Sequence, residues 1–378
     1  MNEFVPQTVL AYLKRKKLKP TAGWTELWHG EHARYFTVAQ SVYGDILNDV
    51  YEAVTTAIAE GETLASFKKK LTPLLQEKGW WGRTEDGVLL GSPRRLEIIY
   101  DTNIRMANAA ARWERIEENK HLFPYLQYIA VLDERTRKEH RRWHNLILPV
   151  EHPFWKTHYP PNGWKCRCMV RQISAREAQA NGGVSADPVV NLKPWVNKKT
   201  GETLQVPEGI APGFDYNAGV ANLRVKSRYE VAEKLKSFNR PVASGVLNNI
   251  LTGEDFKEFY KNPVGMYAIG VLDDLTQKTL QAQTDVCTFS DETLIKNKEH
   301  HPELSVDDYL QINGILGAYD VLVQDSANSV VAVKKVKEKK YWLAVKVTRH
   351  KNEVFATTFH LTNERQMKKL LGKGKRLK

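Results

Sequence analysis

Residues 321–361 read VLVQDSANSVVAVKKVKEKKYWLAVKVTRHKNEVFATTFHL. Four apolar-rich runs, 321–324, 330–336, 341–348 and 354–361, are joined by short polar stretches at 325–329, 337–340 and 350–353. Successive side chains of a strand point to opposite faces, so alternation of apolar and polar residues marks a half-buried strand. Four such runs with turns this short predict an antiparallel meander. Upstream, helical signals over 254–260, 273–280, 291–298 and 306–316, with a strand-like 286–289, supply helices for one face of that sheet. The result is an α+β domain over 241–378 with a four-stranded antiparallel sheet.

Other regions precede it. Residues 1–120 read as helical: Tyr43, Ile46, Leu47, Val50, Tyr51, Val54 and Ile58 recur at three- and four-residue steps and form one apolar stripe. A helix over 66–77 ends at Gly79, and a longer one over 95–118 carries Leu96, Ile99, Ile104, Ala107 and Ala111. Residues 121–180 change character: an apolar run over 128–132 and an alternating one over 169–173 predict a small two-stranded region. Residues 181–240 read as an extended arm or linker, rich in Gly and Pro over 182–219. The expectation is therefore a multidomain α+β chain. No period of about 20–50 residues recurs, which excludes a solenoid.

The 378 residues carry 56 Lys+Arg against 44 Asp+Glu, a net charge of +12, and 42% are hydrophobic. That hydrophobic fraction excludes disorder of the whole chain. The apolar runs, such as residues 267–272, fall far short of the ~18 residues a bilayer span needs, so no membrane partner is expected. The N-terminus, Met1-Asn2-Glu3-Phe4-Val5-Pro6, has no basic segment leading into an apolar one, so no secretory signal is expected. Three cysteines cannot build a disulfide framework and suit a reducing compartment. Positive charge predicts anionic company, foremost nucleic acid. Residues 304–378 alone hold 15 Lys+Arg against 7 Asp+Glu. The basic run Lys14-Arg15-Lys16-Lys17-Leu18-Lys19 reads either as a solvated helix end or as a DNA-contacting arm. There is no phosphate-binding loop, nucleophile elbow or HExxH pattern, so neither an ATP-driven motor nor a metalloprotease is supported.

An ordered set of segments carries a family resemblance. The first is Phe67-Lys68-Lys69-Lys70-Leu71-Thr72-Pro73-Leu74-Leu75 followed by Gly79-Trp80-Trp81-Gly82. Next come Pro93-Arg94-Arg95-Leu96-Glu97-Ile98-Ile99-Tyr100-Asp101-Thr102-Asn103 and Ala110-Ala111-Arg112. Asp133-Glu134-Arg135-Thr136-Arg137 with His140, the segment from Pro160 to Cys168, and Pro212-Gly213-Phe214-Asp215-Tyr216-Asn217 complete it. Together they resemble the MuF-type head morphogenesis family of phages, the minor head proteins of the phage Mu protein F family. The resemblance implies a low-copy virion protein that meets portal and capsid proteins. Its place would be the capsid interior or portal vertex, and the host cytoplasm during assembly.

The last third resembles a phage barnase–EndoU–colicin–RelE-like nuclease domain. The matching residues are Glu299-His300-His301-Pro302-Glu303, Asp307-Asp308-Tyr309, Val345-Lys346-Val347-Thr348 and Ala356-Thr357-Thr358-Phe359-His360. This implies a metal-independent ribonuclease meeting phage DNA or host RNA. The alternative is a purely structural virion assembly protein whose last domain is catalytically inactive.

Metal-independent RNA cleavage needs a base for the ribose 2′-hydroxyl, an acid for the leaving 5′-oxygen and cations for charge on the phosphorus. His301 or His300, Lys346, Arg349, Thr358 and His360 supply those groups. Residues two apart on a strand share a face, so Lys346 goes with Thr348, and Thr358 with His360. The competing reading is plain alternation on a solvent face. Cys166-Arg167-Cys168 is spaced more tightly than a CxxC zinc knuckle. One thiol or both could still join His140, with His144 or His158, around a structural Zn²⁺. The alternative is reduced thiols beside capping or stacking histidines. His140 and His144, four apart, would share a helix face. Cys287 is expected to be a core thiol, and Trp24, Trp28, Trp80, Trp81, Trp155 and Trp164 packing anchors.

Overall fold

The computed structural model describes residues 7–41 and 43–378; the N-terminal hexapeptide read above for a secretory signal lies outside the described residues. The chain divides into two compact units, Met1–Arg224 and Val225–Lys378. Each mixes helices and strands. Among the described residues no helix is long and apolar enough to cross a membrane.

In the first unit, helices Gln7–Lys14, Gly44–Glu60, Leu64–Glu77 and Pro93–Asn119 pack on one another. Of the stripe read from sequence, Ile46, Leu47, Val50, Val54 and Ile58 form the buried face of Gly44–Glu60, whereas Tyr51 is half-buried and Tyr43, just before the helix, is 67% exposed. Thr63 and Ser92 start the next two helices by accepting from Ser66 N and Arg95 N, each at 3.2 Å. Part of the basic run is tied down. Lys17–Leu18 pairs in parallel with Tyr35–Phe36, and Lys16 Nζ lies 4.2 Å from the centre of the Tyr12 ring. Burial lowers the Lys16 ammonium pKa to about 7.

Strands β1 (Tyr125–Ile129), β2 (Ile147–Pro149) and β3 (Met169–Ile173) form an antiparallel sheet of order β2-β1-β3. The small region is thus three-stranded, not two-stranded. β2 has only three residues, too few to show a period of two. β1 also starts earlier than the 128–132 run suggested. Val131 and Leu132 are 40% and 56% exposed, because the chain has already left the sheet.

The stretch expected as an extended arm over 181–240 holds regular structure. Strands β4 (Leu192–Val196) and β5 (Thr203–Pro207) make an antiparallel hairpin, and Ala218–Leu235 is a helix. Pro194 and Pro207 hid the hairpin, since Pro is tolerated in a strand only at an edge, which both strands of a two-stranded ribbon provide. The helix has no sharp apolar stripe, so its periodicity is weak. The boundary between units, at Arg224 and Val225, falls within these helical residues and not near residue 240.

The second unit is built on strands β6 (Met266–Val271), β7 (Val286–Ser290), β8 (Val321–Ser326), β9 (Ser329–Val336), β10 (Lys339–Val347), β11 (Val354–Leu361) and β12 (Lys375–Arg376). Their order is β12-β8-β9-β10-β11-β7-β6. β8 to β11 form an antiparallel meander. The four-stranded sheet expected from sequence is therefore the centre of a seven-stranded one. β7 joins it by a parallel pairing with β11, which no hairpin signal could announce.

Helices cover both faces rather than one. Leu343, Val345 and Phe359 share a core with residues of helices Arg240–Leu251, Asp291–His300 and Gln311–Gly317. Val323, Val331 and Val333 pack on Met367 and Leu370 of Glu364–Lys373. Alternation along β9 is blurred because both of its faces are buried. Cys287 is fully buried in the first of these cores.

Candidate metal centre and a stacked ring cluster

In the first unit, the helix Lys138–Arg142 presents His140, which is 2% exposed. The His140 ring stacks on Trp143, with centroids 5.2 Å apart and planes 22° apart. Its Nε2 lies 2.9 Å from the Gly209 carbonyl oxygen. Gly209 has φ +87°, and a Cβ there would sit 2.6 Å from the Glu139 Cβ, so only glycine brings that carbonyl so close. On the other side of the ring, Nδ1 lies 3.4 Å from Cys168 Sγ and 3.7 Å from Cys166 Sγ. The three donor atoms lie within 4.8 Å of one another.

The sequence around the cysteines explains their placement. Just before β3, Cys166 and Cys168 both reach the His140 ring, while Arg167 between them reaches Asp133. Arg167 donates to both oxygens of Asp133, at 2.7 and 2.6 Å. That guanidinium holds the Asp133 carboxyl well below the usual carboxylate range. Arg137 donates to the Trp164 carbonyl at 3.2 Å, and Arg141 to the Asp133 carbonyl. The Asp133-Glu134-Arg135-Thr136-Arg137 motif is thus the clamp that holds the cysteine loop beside His140. The Cys168 thiol, and after it His140, lower the Cys166 pKa against the opposing effect of burial, while Cys166 and burial push the Cys168 pKa up.

The other histidines read as metal ligands lie elsewhere. The helix stops at Arg142, and Asn145 takes φ +67°, so His140 and His144 do not share a helix face. His144 Nδ1 accepts from Ala130 N at 3.2 Å. His158 stacks on Phe154 with centroids 4.2 Å apart, and burial pushes its pKa down to about 4.

In the second unit, the register of β10 against β11 decides which residues meet. Trp342 faces His360, Ala344 faces Thr358, and Lys346 faces Phe355. His301, which ends the helix Asp291–His300, lies over His360 with ring centroids 4.8 Å apart and planes at 22°. His360 in turn lies over Trp342, 5.5 Å and 19°. His360 Nδ1 donates to the Leu361 carbonyl at 2.7 Å, which leaves Nε2 as its lone-pair nitrogen. Burial lowers the His360 pKa, so the ring is neutral near pH 7.

Lys346 stands four residues along the strand from Trp342, about 14 Å at about 3.4 Å per residue. Lys346 therefore stands further along β10 from the pairing with His360 than Trp342 does. Thr358 lies nearer, two residues from His360 on the same strand, whereas Arg349 is exposed in the turn beyond β10. Trp342 was missed from sequence, although its even spacing of four from Lys346 puts it on the same strand face. Asp308 and Tyr309 are occupied by packing: Asp308 accepts from Lys339 and Tyr341, and Tyr309 from Asn297.

Residues 48–171 match the family model described as Phage Mu protein F like protein. The chain thus carries a Mu F-like segment, which lies within the first unit and includes His140, Cys166 and Cys168. Among proteins of known sequence, it is 43% identical over 239 residues to a protein provisionally named capsid assembly protein F in Escherichia phage Mu, covering 57% of this chain and 54% of that one. It is also 38% identical over 220 residues to the Mu-like prophage FluMu F protein of Haemophilus influenzae, 53% of each chain. The chain spans about half the length of the curated relatives it matches. No solved structure matches it.

Proposed function

We propose that this chain is a phage head assembly protein whose Mu F-like first unit binds other head proteins. The observation that carries this reading is the 43% identity, over more than half the chain, to a protein provisionally named for capsid assembly. Portal and capsid proteins are its partners, and the virion and the host cytoplasm during assembly are its places. The reading is tested by whether the chain sediments with heads purified from the phage or prophage that encodes it.

The second unit lies outside the matched segment, and its function is a separate proposal: metal-independent RNA cleavage. The stacked rings of His301, His360 and Trp342 favour it over a purely structural role. His360 Nε2 takes the 2′-hydroxyl proton, the 2′-oxygen attacks the adjacent phosphorus, and the 5′-oxygen leaves with a proton from His301. Trp342 offers a face for a base, and the basic surface attracts the backbone. The full chain should cut RNA with chelator present. His301→Ala and His360→Ala should each lower single-turnover cleavage by about 10²-fold or more. Lys346→Ala should weaken RNA binding and leave the chemical step within a few fold, because its register keeps it away from the rings. An intact, folded chain that leaves RNA uncut at micromolar concentration would reduce the second unit to a structural module.

A further inference from the structure

We propose that His140, Cys166 and Cys168 bind one Zn²⁺ that fastens the cysteine loop to the helix Lys138–Arg142. The hydrogen bond to Gly209 fixes the tautomer of His140. A carbonyl oxygen only accepts, so Nε2 carries the hydrogen and Nδ1 keeps its lone pair. That lone pair points at two sulfur atoms. Metal-bound histidines commonly donate their other ring N–H to a backbone carbonyl in this way.

The distances agree with a metal's demands. Zinc bonds of about 2.3 Å to sulfur and 2.0–2.1 Å to nitrogen, at a tetrahedral angle, put nitrogen and sulfur about 3.6 Å apart. Nδ1 stands 3.4 and 3.7 Å from the two sulfurs. Two thiolates and an imidazole are soft and borderline donors, which favour Zn²⁺ over Mg²⁺ or Ca²⁺.

Charge also balances. Binding releases one proton from each thiol to solvent and displaces water from the aquo ion. Two thiolates against Zn²⁺ give a neutral centre, and a neutral centre is the kind that tolerates the burial of Cys166 and His140, 3% and 2% exposed. With three protein donors, a water completes the tetrahedron.

The surrounding chain is pre-organised for this. The Asp133–Arg167 pair holds the loop from the far side, and Trp143 holds the imidazole plane. The elements near the centre are short, a five-residue helix and strands of five, three and five residues. A metal cross-link between residues 140 and 166–168 supplies order that so little regular structure lacks.

The full chain, purified under reducing conditions, should contain about one zinc by elemental mass spectrometry. The Cys166→Ser/Cys168→Ser variant should lose it, and Cys287→Ser, altered only in the second unit, should keep it. Because the double variant could fail to fold, the wild-type chain is also stripped with chelator and refilled with Co²⁺. The visible bands of a tetrahedral cobalt–thiolate centre should appear, and added Zn²⁺ should remove them and raise the unfolding temperature. A metal-free chain with no cobalt bands and an unfolding temperature indifferent to Zn²⁺ would overturn the proposal. A Cys166–Cys168 disulfide in protein purified without oxidant would overturn it as well.

Discussion

The Asp308 carboxylate accepts from Lys339 Nζ and from the Tyr341 hydroxyl, each at 2.6 Å, and from Ser305 N at 2.7 Å. Burial raises its pKa, but these donors outweigh burial and bring it to about 2. The unfolded value is about 3.9, so the folded state holds the proton more weakly. Its stabilisation is full above about pH 4 and is lost as pH falls through about 2. Asp308→Asn should therefore cost about 2–3 kcal/mol at pH 7, since buried donors lose a charged partner. The cost should shrink as pH falls from about 5 towards 2, as read by urea unfolding of the full chain. A cost independent of pH would contradict this account of the residue. At this scale the sequence shows residue types but not partners. Asp308 was legible as part of a motif, while two of its donors, Lys339 and Tyr341, arrive from β10, about thirty residues on. His140, Cys166 and Cys168 were legible as metal-type residues, but the Gly209 carbonyl, 69 residues from His140, left no local signal.

β11 keeps its partner β7 only at Val354 and Phe355, so further along that edge its backbone groups need other partners. Asn297, on the helix Asp291–His300, supplies them. Its Oδ1 accepts from Phe359 N at 3.1 Å, and its Nδ2 donates to the Phe359 carbonyl and to the Tyr309 hydroxyl. The same contact sets the helix end, and hence His301, against His360. Asn297→Ala leaves a buried N–H and C=O unpaired and should destabilise the second unit by about 2–3 kcal/mol. RNA cleavage should fall with it even where the variant is folded, because the His301–His360 stack loosens. A loss of stability under about 0.5 kcal/mol, within the range of an ordinary surface change, would show that water replaces the amide. Elements with a clear period were legible: the meander, the helix Gly44–Glu60 and the short helices before β8. β6 was seen only as an apolar run, being buried almost throughout. The helix Glu364–Lys373 went unread although its Asn363 accepts from Gln366 N at 3.0 Å in a capping box, a signal the sequence did contain.

At the scale of the whole molecule, residues 48–171 match a phage family model and lie in the first of two compact units, while the second unit carries the basic C-terminal stretch. The resemblance was legible because its motifs are local and ordered along the chain. The division into units was not, because the boundary falls within a helix and leaves no linker composition to read. The central claim is that the first unit carries head assembly. It is tested most directly by quantitative mass spectrometry of purified heads, comparing the full chain with a version ending at Arg224. The account predicts that both are present at the same copy number per head. Full-length protein in heads, with the shorter version folded in the lysate but missing from them, would contradict it.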